Sequence, residues 1–231
     1  MVQCALPLEA RSVAARLRRA RHGSLGLFEA WEGTLKGVPV LVVVSGIGTS
    51  EAAIATSEVI RLFDPCGLID YGTAGALSET WAIGKCALIG VAAAYHPPRL
   101  LPKAGPAASH PSVAEASSDP EWLKLGQTAL HLPAVKVGCA DLEVVSPHLA
   151  RYLATAYGFD WVDYESHSVL NVAACHGVRA AGFRTVSDHC GPNATEQFKE
   201  NARRALSGAA RLLEQYIGAL HEAQLLAPPT T

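Results

Sequence analysis

Three carboxylates stand where apolar, strand-like runs give way to loops or helix starts: Glu9 after residues 2–6, Glu165 after residues 159–162, and Asp188 after residues 183–186. An open α/β sheet collects its ligand at such places, beyond the carboxyl ends of its strands. Glu165 opens a helical stretch, where the positive end of the helix dipole favours an ionised side chain. A carboxylate held ionised there can accept two hydrogen bonds from a vicinal diol. Asp188 precedes His189-Cys190-Gly191-Pro192, so it reads as part of a strand-to-loop turn and not of a solvated helix face. Singly, each could be a surface charge or a cap; together they point to a site.

The elements that must hold these residues follow from the apolar pattern. Residues 38–44 form a near-continuous apolar run, expected to be a strand covered on both faces. It leads into Ser45-Gly46-Ile47-Gly48 and, from Ser50, a helix that Pro65 stops. A second strand is expected over 66–71, breaking into the small-residue loop Gly72-Thr73-Ala74-Gly75, and a third over 86–94. Residues from about 95 to 120 carry prolines at 97, 98, 102, 106 and 111 and read as a surface excursion or lid. Ser146 and Pro147 are an N-cap and first-turn pair for a helix ending at Gly158. A short strand over 159–163, a helix over 166–176 and a strand over 179–186 follow. The last helix spans about 195–222, with Ala202, Leu206, Ala209, Leu213, Tyr216, Ile217 and Leu220 on one face. Alternating strands and helices without a repeat or a linker predict a single α/β domain over residues 1–231.

Composition removes several function classes. Nineteen Lys and Arg against 21 Asp and Glu leave a net charge of −2, which offers no field for nucleic acid. The apolar runs fall far short of the roughly 18 residues that suggest a membrane-spanning helix, so a soluble protein is expected. The N-terminal order, a short apolar run before a basic cluster, is the reverse of a secretory signal; a mitochondrial presequence stays open, but Glu9 and residues 2–6 fit a first strand and helix better. Six Cys without a CxxC pair or zinc-ligand spacing read as reduced thiols in a cytoplasmic protein, with no metal and no cofactor implied. Gly46-Ile47-Gly48 lacks the third glycine of a dinucleotide fingerprint, since position 51 is Glu; Asp70, about 24 residues on at a strand end, leaves that reading weakened but open. The phosphate-loop, HExxH and GxSxG patterns do not occur.

Over nearly its whole length the chain resembles the nucleoside phosphorylase and nucleosidase superfamily, on the side of the methylthioadenosine/S-adenosylhomocysteine nucleosidases. Ala5-Leu6-Pro7-Leu8-Glu9 is similar to the nucleosidase N-terminal segment. Ser45-Gly46-Ile47-Gly48, Gly72-Thr73-Ala74-Gly75-Ala76-Leu77 and Trp81-Ala82-Ile83-Gly84-Lys85 resemble its glycine loops and the turn that follows. Val162-Asp163-Tyr164-Glu165-Ser166 resembles the ribose segment, and Arg184-Thr185-Val186-Ser187-Asp188 the segment ending in the catalytic Asp. The last two, in the right order and spacing, carry the resemblance.

The resemblance implies a three-layer α/β/α domain around a mixed, twisted central sheet. It implies that Asp188 assists departure of a purine by protonating or hydrogen-bonding N7, that Glu165 binds the ribose 2' and 3' hydroxyls, and that Glu9 activates water. Thr73 is placed near that water, Arg184 holds the Asp188 or Glu165 loops, and Ser187 and Tyr164 belong with the substrate-binding set. Phosphorylases of the family carry an Arg where this chain has Asp70, and a carboxylate there, with Glu9, would repel phosphate. Hydrolysis of an adenine nucleoside with a modified 5' position is therefore expected, ahead of phosphorolysis or a catalytically silent nucleoside-binding role. Two departures bear on the substrate: Glu143 replaces the aromatic that stacks on the base, and Tyr164 replaces a Met beside the ribose. The resemblance also implies a homodimer, with the Pro-rich segment from Tyr95 to Pro111 covering the 5' end of the partner's pocket.

Overall fold

The computed structural model describes residues 1–96 and 113–226. In chain order these form β1 (Val2–Cys4), α1 (Pro7–Ala14), β2 (Arg18–Leu25), β3 (Phe28–Leu35), β4 (Val38–Val44), α2 (Thr49–Phe63), β5 (Leu68–Ala76), β6 (Cys86–Ala94), β7 (Ala114–Ser117), α3 (Pro120–Leu130), β8 (Ala134–Cys139), α4 (Pro147–Ala156), β9 (Trp161–Asp163), α5 (Ser166–Cys175), β10 (Ala180–His189) and α6 (Ala194–Glu222). The proposed lid lies largely outside the described residues. Tyr95, at its start, is a core side chain packed near Tyr157 and Phe159.

The strands make one mixed sheet in the order β10-β6-β8-β9-β5-β1-β4-β3-β2, with β7 on β6. Strand β10 also pairs with β5, so β10, β6, β8, β9 and β5 close a ring. Helices α1, α3 and α6 share one apolar cluster with the sheet, while α2 and α5 share another on the opposite face, giving three layers. The expected core face of α6 is buried at every position from Ala202 to Leu220 named above. Full burial of each large apolar side chain there contributes about 1.5–3 kcal/mol.

Strand β5 corrects the sequence reading. Gly72-Thr73-Ala74-Gly75 is not a loop but the second half of a nine-residue strand, paired in parallel with β10 from Leu68 to Ala76. Small residues look loop-like in sequence, yet here they let neighbouring side chains close over the strand. Asp188 likewise lies within β10. A register shift between Val186 and Asp188 makes Ser187 an extra residue, a bulge of the kind that re-aims side chains beside functional sites. Strands β2, β3, β7 and β8 and helix α3 were not legible. Strand β2 is exposed at every residue but Leu25, so it carries no apolar alternation to read. Helix α3 starts where Asp119 accepts from the amides of Glu121 and Trp122. Among the described residues no helix is long and apolar enough to cross a membrane, and no His, Cys, Asp and Glu group could hold a metal ion.

Candidate active site

Beyond β1 and at the carboxyl ends of β5, β9 and β10 lies a cavity of about 280 Å³ whose lining includes Glu9, Glu143, Asp163, Glu165 and Asp188. Glu9 sits in the first turn of α1, which Pro7 starts, and is buried. Its Oε2 accepts from the amides of Ala5 (3.1 Å) and Leu6 (3.0 Å), and its Oε1 from the amide (2.8 Å) and hydroxyl (2.9 Å) of Thr73. Four donors saturate a carboxylate. All four donors are the protein's own, and they hold the Glu9 carboxylate between β5 and the start of α1. Gly72 makes the approach possible: a Cβ there would stand 2.7 Å from Glu9 Oε1.

Glu165 is the N-cap residue of α5, and its Oε1 accepts from the amide of Gly48 at 3.0 Å. The glycine loop thus donates a backbone amide to Glu165. Asp141 ties the start of α2 to the same corner by accepting from the Thr49 amide and hydroxyl, both at 2.8 Å. Burial, reinforced by Asp163, pushes Glu165 up to about 8 against the pull of Arg184 and the Gly48 amide, which corrects the expectation of a carboxylate held ionised at the helix start: burial outweighs the helix dipole.

Arg184 corrects the assignment to the substrate-binding set. It does not line the cavity; it is 2% exposed and stands behind it. Its Nη2 donates to Asp70 at 2.7 Å and its Nε to Asp163 at 2.9 Å, while Glu165 lies 3.9 Å from Nη2; among the described residues its Nη1 has no hydrogen-bond partner. The reason for the burial is the register: Arg184 pairs across from Gly72, in the centre of the β5–β10 ladder. Ser166 Oγ touches carboxylate oxygens of both Asp70 (2.8 Å) and Asp163. A hydroxyl has one proton, so Ser166 donates to one of the two carboxylates at a time. Burial pushes Asp70 up to about 6 despite Arg184. Asp70 is also absent from the cavity wall, so the expectation that its charge would repel phosphate does not hold; Glu9 alone carries that argument.

Asp188 accepts from its neighbour Ser187 Oγ at 2.7 Å. Burial raises it to about 6; the Ser187 hydrogen bond and His189 work against the rise, and Glu143 adds to it. A carboxyl in that range can give up a proton near neutral pH. Gly75 leaves it room, since a Cβ there would meet Cys190 Sγ at 2.9 Å and Asp188 Oδ1 at 3.1 Å. Tyr164 lines the cavity half-buried and is pushed up to about 12 by burial and by Glu143, Glu165 and Asp188 around it. Glu143 is exposed at the rim, where its Oε1 accepts from Thr195 Oγ1 at 2.6 Å.

All the expected site residues except Arg184 thus meet at one cavity. Phe198, Thr195, Cys190, Ile47 and Leu142 also line it and were not singled out from sequence. The available signal was the position of Thr195 and Phe198 in the first turns of the helix that follows Asp188. Among the described residues, the lining contains no Lys, Arg or His.

A family model described as the phosphorylase superfamily matches residues 1–218. A stretch of 84 residues is 31% identical to the 5'-methylthioadenosine/S-adenosylhomocysteine nucleosidase of Halalkalibacterium halodurans and spans 36% of each protein. The protein of the same name from Psychromonas ingrahamii is 24% identical over 227 residues, 94% of this chain and 97% of that one. Among solved structures, the 5'-methylthioadenosine/S-adenosylhomocysteine nucleosidase of Neisseria meningitidis in complex with methylthio-immucillin-A superposes with a TM-score of 0.82 at 22% identity, covering 95% of this chain and 98% of that one. Futalosine hydrolase of Helicobacter pylori superposes with a TM-score of 0.81 at 18% identity, covering 94% and 95%.

Proposed function

The chain belongs to the phosphorylase superfamily, and from that premise we propose that it hydrolyses the N-glycosidic bond of a purine nucleoside, an adenine nucleoside with a modified 5' position being the favoured substrate. One observation carries the reading: Glu9, Glu165 and Asp188 line a single cavity in which no described residue offers a positive charge to bind phosphate as a nucleophile. In the reaction the bond from C1' to N9 breaks with its electron pair going to the base. Asp188 gives a proton to N7, so the base leaves neutral. Positive charge grows on the ribosyl group, while Glu165, whose proton burial retains to about 8, serves the ribose hydroxyls through its carboxyl oxygens and supplies no fixed negative charge. Water adds at C1', held by Thr73 and losing its proton to Glu9; the products are free base and the 5'-substituted ribose.

The relatives named above, nucleosidases and a futalosine hydrolase, support hydrolysis of a nucleoside and leave the 5' substituent to experiment. A homodimer in a reducing, cytoplasmic setting completes the proposal. The six unpaired cysteines fit the setting, and exposed Ile47 at the cavity and Val145 close by in sequence to Glu143 fit a covered rim. The test is incubation of pure protein with a nucleoside panel, 5'-methylthioadenosine, S-adenosylhomocysteine and futalosine included, in phosphate-free buffer, with free base followed by chromatography. Release of base without phosphate is expected. Release that requires phosphate and yields a ribose 1-phosphate would assign a phosphorylase instead. Thermal stabilisation by a nucleoside with no turnover would assign a binding protein.

A further inference from the structure

We propose that His189 is a positioning residue for Asp188: its imidazole ties the end of β10 to the Trp81 carbonyl and so holds the acid in place for departure of the base. The inference rests on the nucleosidase reading for the role of Asp188, and on the way β10 ends. Strand β6 flanks β10 only from Gly182 to Thr185, whereas β5 follows it to His189. Past Thr185 the turn that leads into β6 takes over that side. The amide of Gly84 donates to the Val186 carbonyl at 2.8 Å, and the Val186 amide donates to the Lys85 carbonyl at 2.9 Å. The bulge at Ser187 follows. The next bond to this turn is made by a side chain: His189 Nε2 stands 2.9 Å from the Trp81 carbonyl oxygen. Asp188 thus lies between two attachments, the main chain of Val186 and the ring of His189. Among the described residues its own carboxylate accepts only from Ser187.

A carbonyl oxygen can only accept, so Nε2 carries the proton and the tie sets the tautomer. The far end of the tie is firm. The Trp81 ring meets Trp161 edge-on, 5.3 Å between centroids, and Trp161 is fully buried in β9. The His189 amide adds a further attachment by donating at 2.8 Å to Gln197 Oε1, near the start of α6, where Thr195 and Phe198 reach the cavity. A bulge re-aims a side chain but also breaks the pairing that would steady it. A general acid needs its proton within hydrogen-bond reach of the atom it protonates. The ring of His189 supplies the hold that a neighbouring strand would have given.

The experiment compares His189→Phe, which keeps a flat ring without a donor, with His189→Gln, which keeps an N–H on a side chain of similar reach. Turnover of the panel nucleoside that the parent cleaves fastest is measured on the full chain, with each substitution alone and combined with Asp188→Asn. His189→Phe is expected to lower kcat by about tenfold, within the roughly 100-fold that the acid supplies, with KM held inside about threefold. His189→Gln should recover most of the loss. With Asp188→Asn already present, His189→Phe should cost less than about twofold more, because a residue that acts through Asp188 has nothing left to position. A kcat that His189→Phe leaves in place, an equal loss in His189→Gln, or an equal loss in both backgrounds overturns the proposal. Hydrogen exchange followed by NMR reads the tie without a substrate. Relative to residues 180–185, the amides of Asp188, His189 and Cys190 should exchange at least about tenfold faster in His189→Phe than in the parent, and an unchanged ratio overturns the tie. A parent that releases no base refutes the nucleosidase reading, and exchange then still decides whether His189 holds the end of β10.

Discussion

Burial lifts Asp188 to about 6, and the shift that readies it as an acid also sets it against the folded state at neutral pH. Its ordinary value is 3.8, so the native protein holds the proton more tightly than the unfolded chain does. The stability this contributes is fully present below about pH 4 and is lost as pH rises through about 6. Asp188→Asn keeps the shape and can still accept from Ser187, but it cannot donate a carboxylic proton. Turnover is expected to fall by about 100-fold or more. At pH 8 the variant should be more stable than the parent by about 1–3 kcal/mol, an advantage that vanishes near pH 4. Denaturant melts at the two pH values, beside kcat, check both halves; a variant that is less stable at pH 8 and still fast would remove the acid role. In the parent, kcat should decline as pH rises above about 6, where the acid form is depleted, and that limb should disappear in the variant.

Two strands set the geometry of the site, and their glycines act where carboxylates close over them. Gly72→Ala would drive a methyl to 2.7 Å from Glu9 Oε1, and Glu9 has no slack because four donors pin it. Kinetics should show a fall in kcat of about 100-fold, the scale of a misplacement near 1 Å. An unchanged kcat would mean that Glu9 moves freely. Arg184 joins β10, β9 and β5 through Asp163 and Asp70. Arg184→Met would leave both carboxylates buried without a cation and should cost about 3–5 kcal/mol, read from the urea midpoint. Strands β4, β5, β6 and β10, the Ser146-capped helix α4 and the three carboxylates were legible because each follows a local pattern: an apolar run, a Ser-Pro start, an acid at a strand end. The Arg184 cluster was not, since it depends on the parallel register that brings Gly72 opposite Arg184, which no local pattern encodes. Glu143 was legible as a departure from a motif, whereas its anchor Thr195, 52 residues away, was not. Strand β2 escaped because Arg18, Arg19, Arg21 and His22 are what an exposed edge strand needs and what a loop also shows.

At the scale of the molecule, five large apolar side chains other than Leu27 are at least 43% exposed among the described residues: Ile47, Ile54, Leu62, Phe63 and Val145. Ile47 belongs to the glycine loop at the cavity, and Ile54 lies on the helix that follows it. Light scattering at micromolar concentration should give twice the mass of the chain, and Ile54→Glu should return the protein to a monomer; a monomer before substitution would exclude the dimer. The ladder between β5 and β10 has a different consequence, for the way the protein fails. It joins β5 to β10 and carries Thr73, Gly75 and Asp188 on the same pairing that holds the core. Amides of this ladder should be the last to exchange with deuterium, opening only when the whole domain opens. The reacting groups then have no private way to melt. In a urea series, loss of turnover and loss of helical circular dichroism should fall on one curve, and activity vanishing well before the helices would show the ladder to be weaker than its place in the sheet requires.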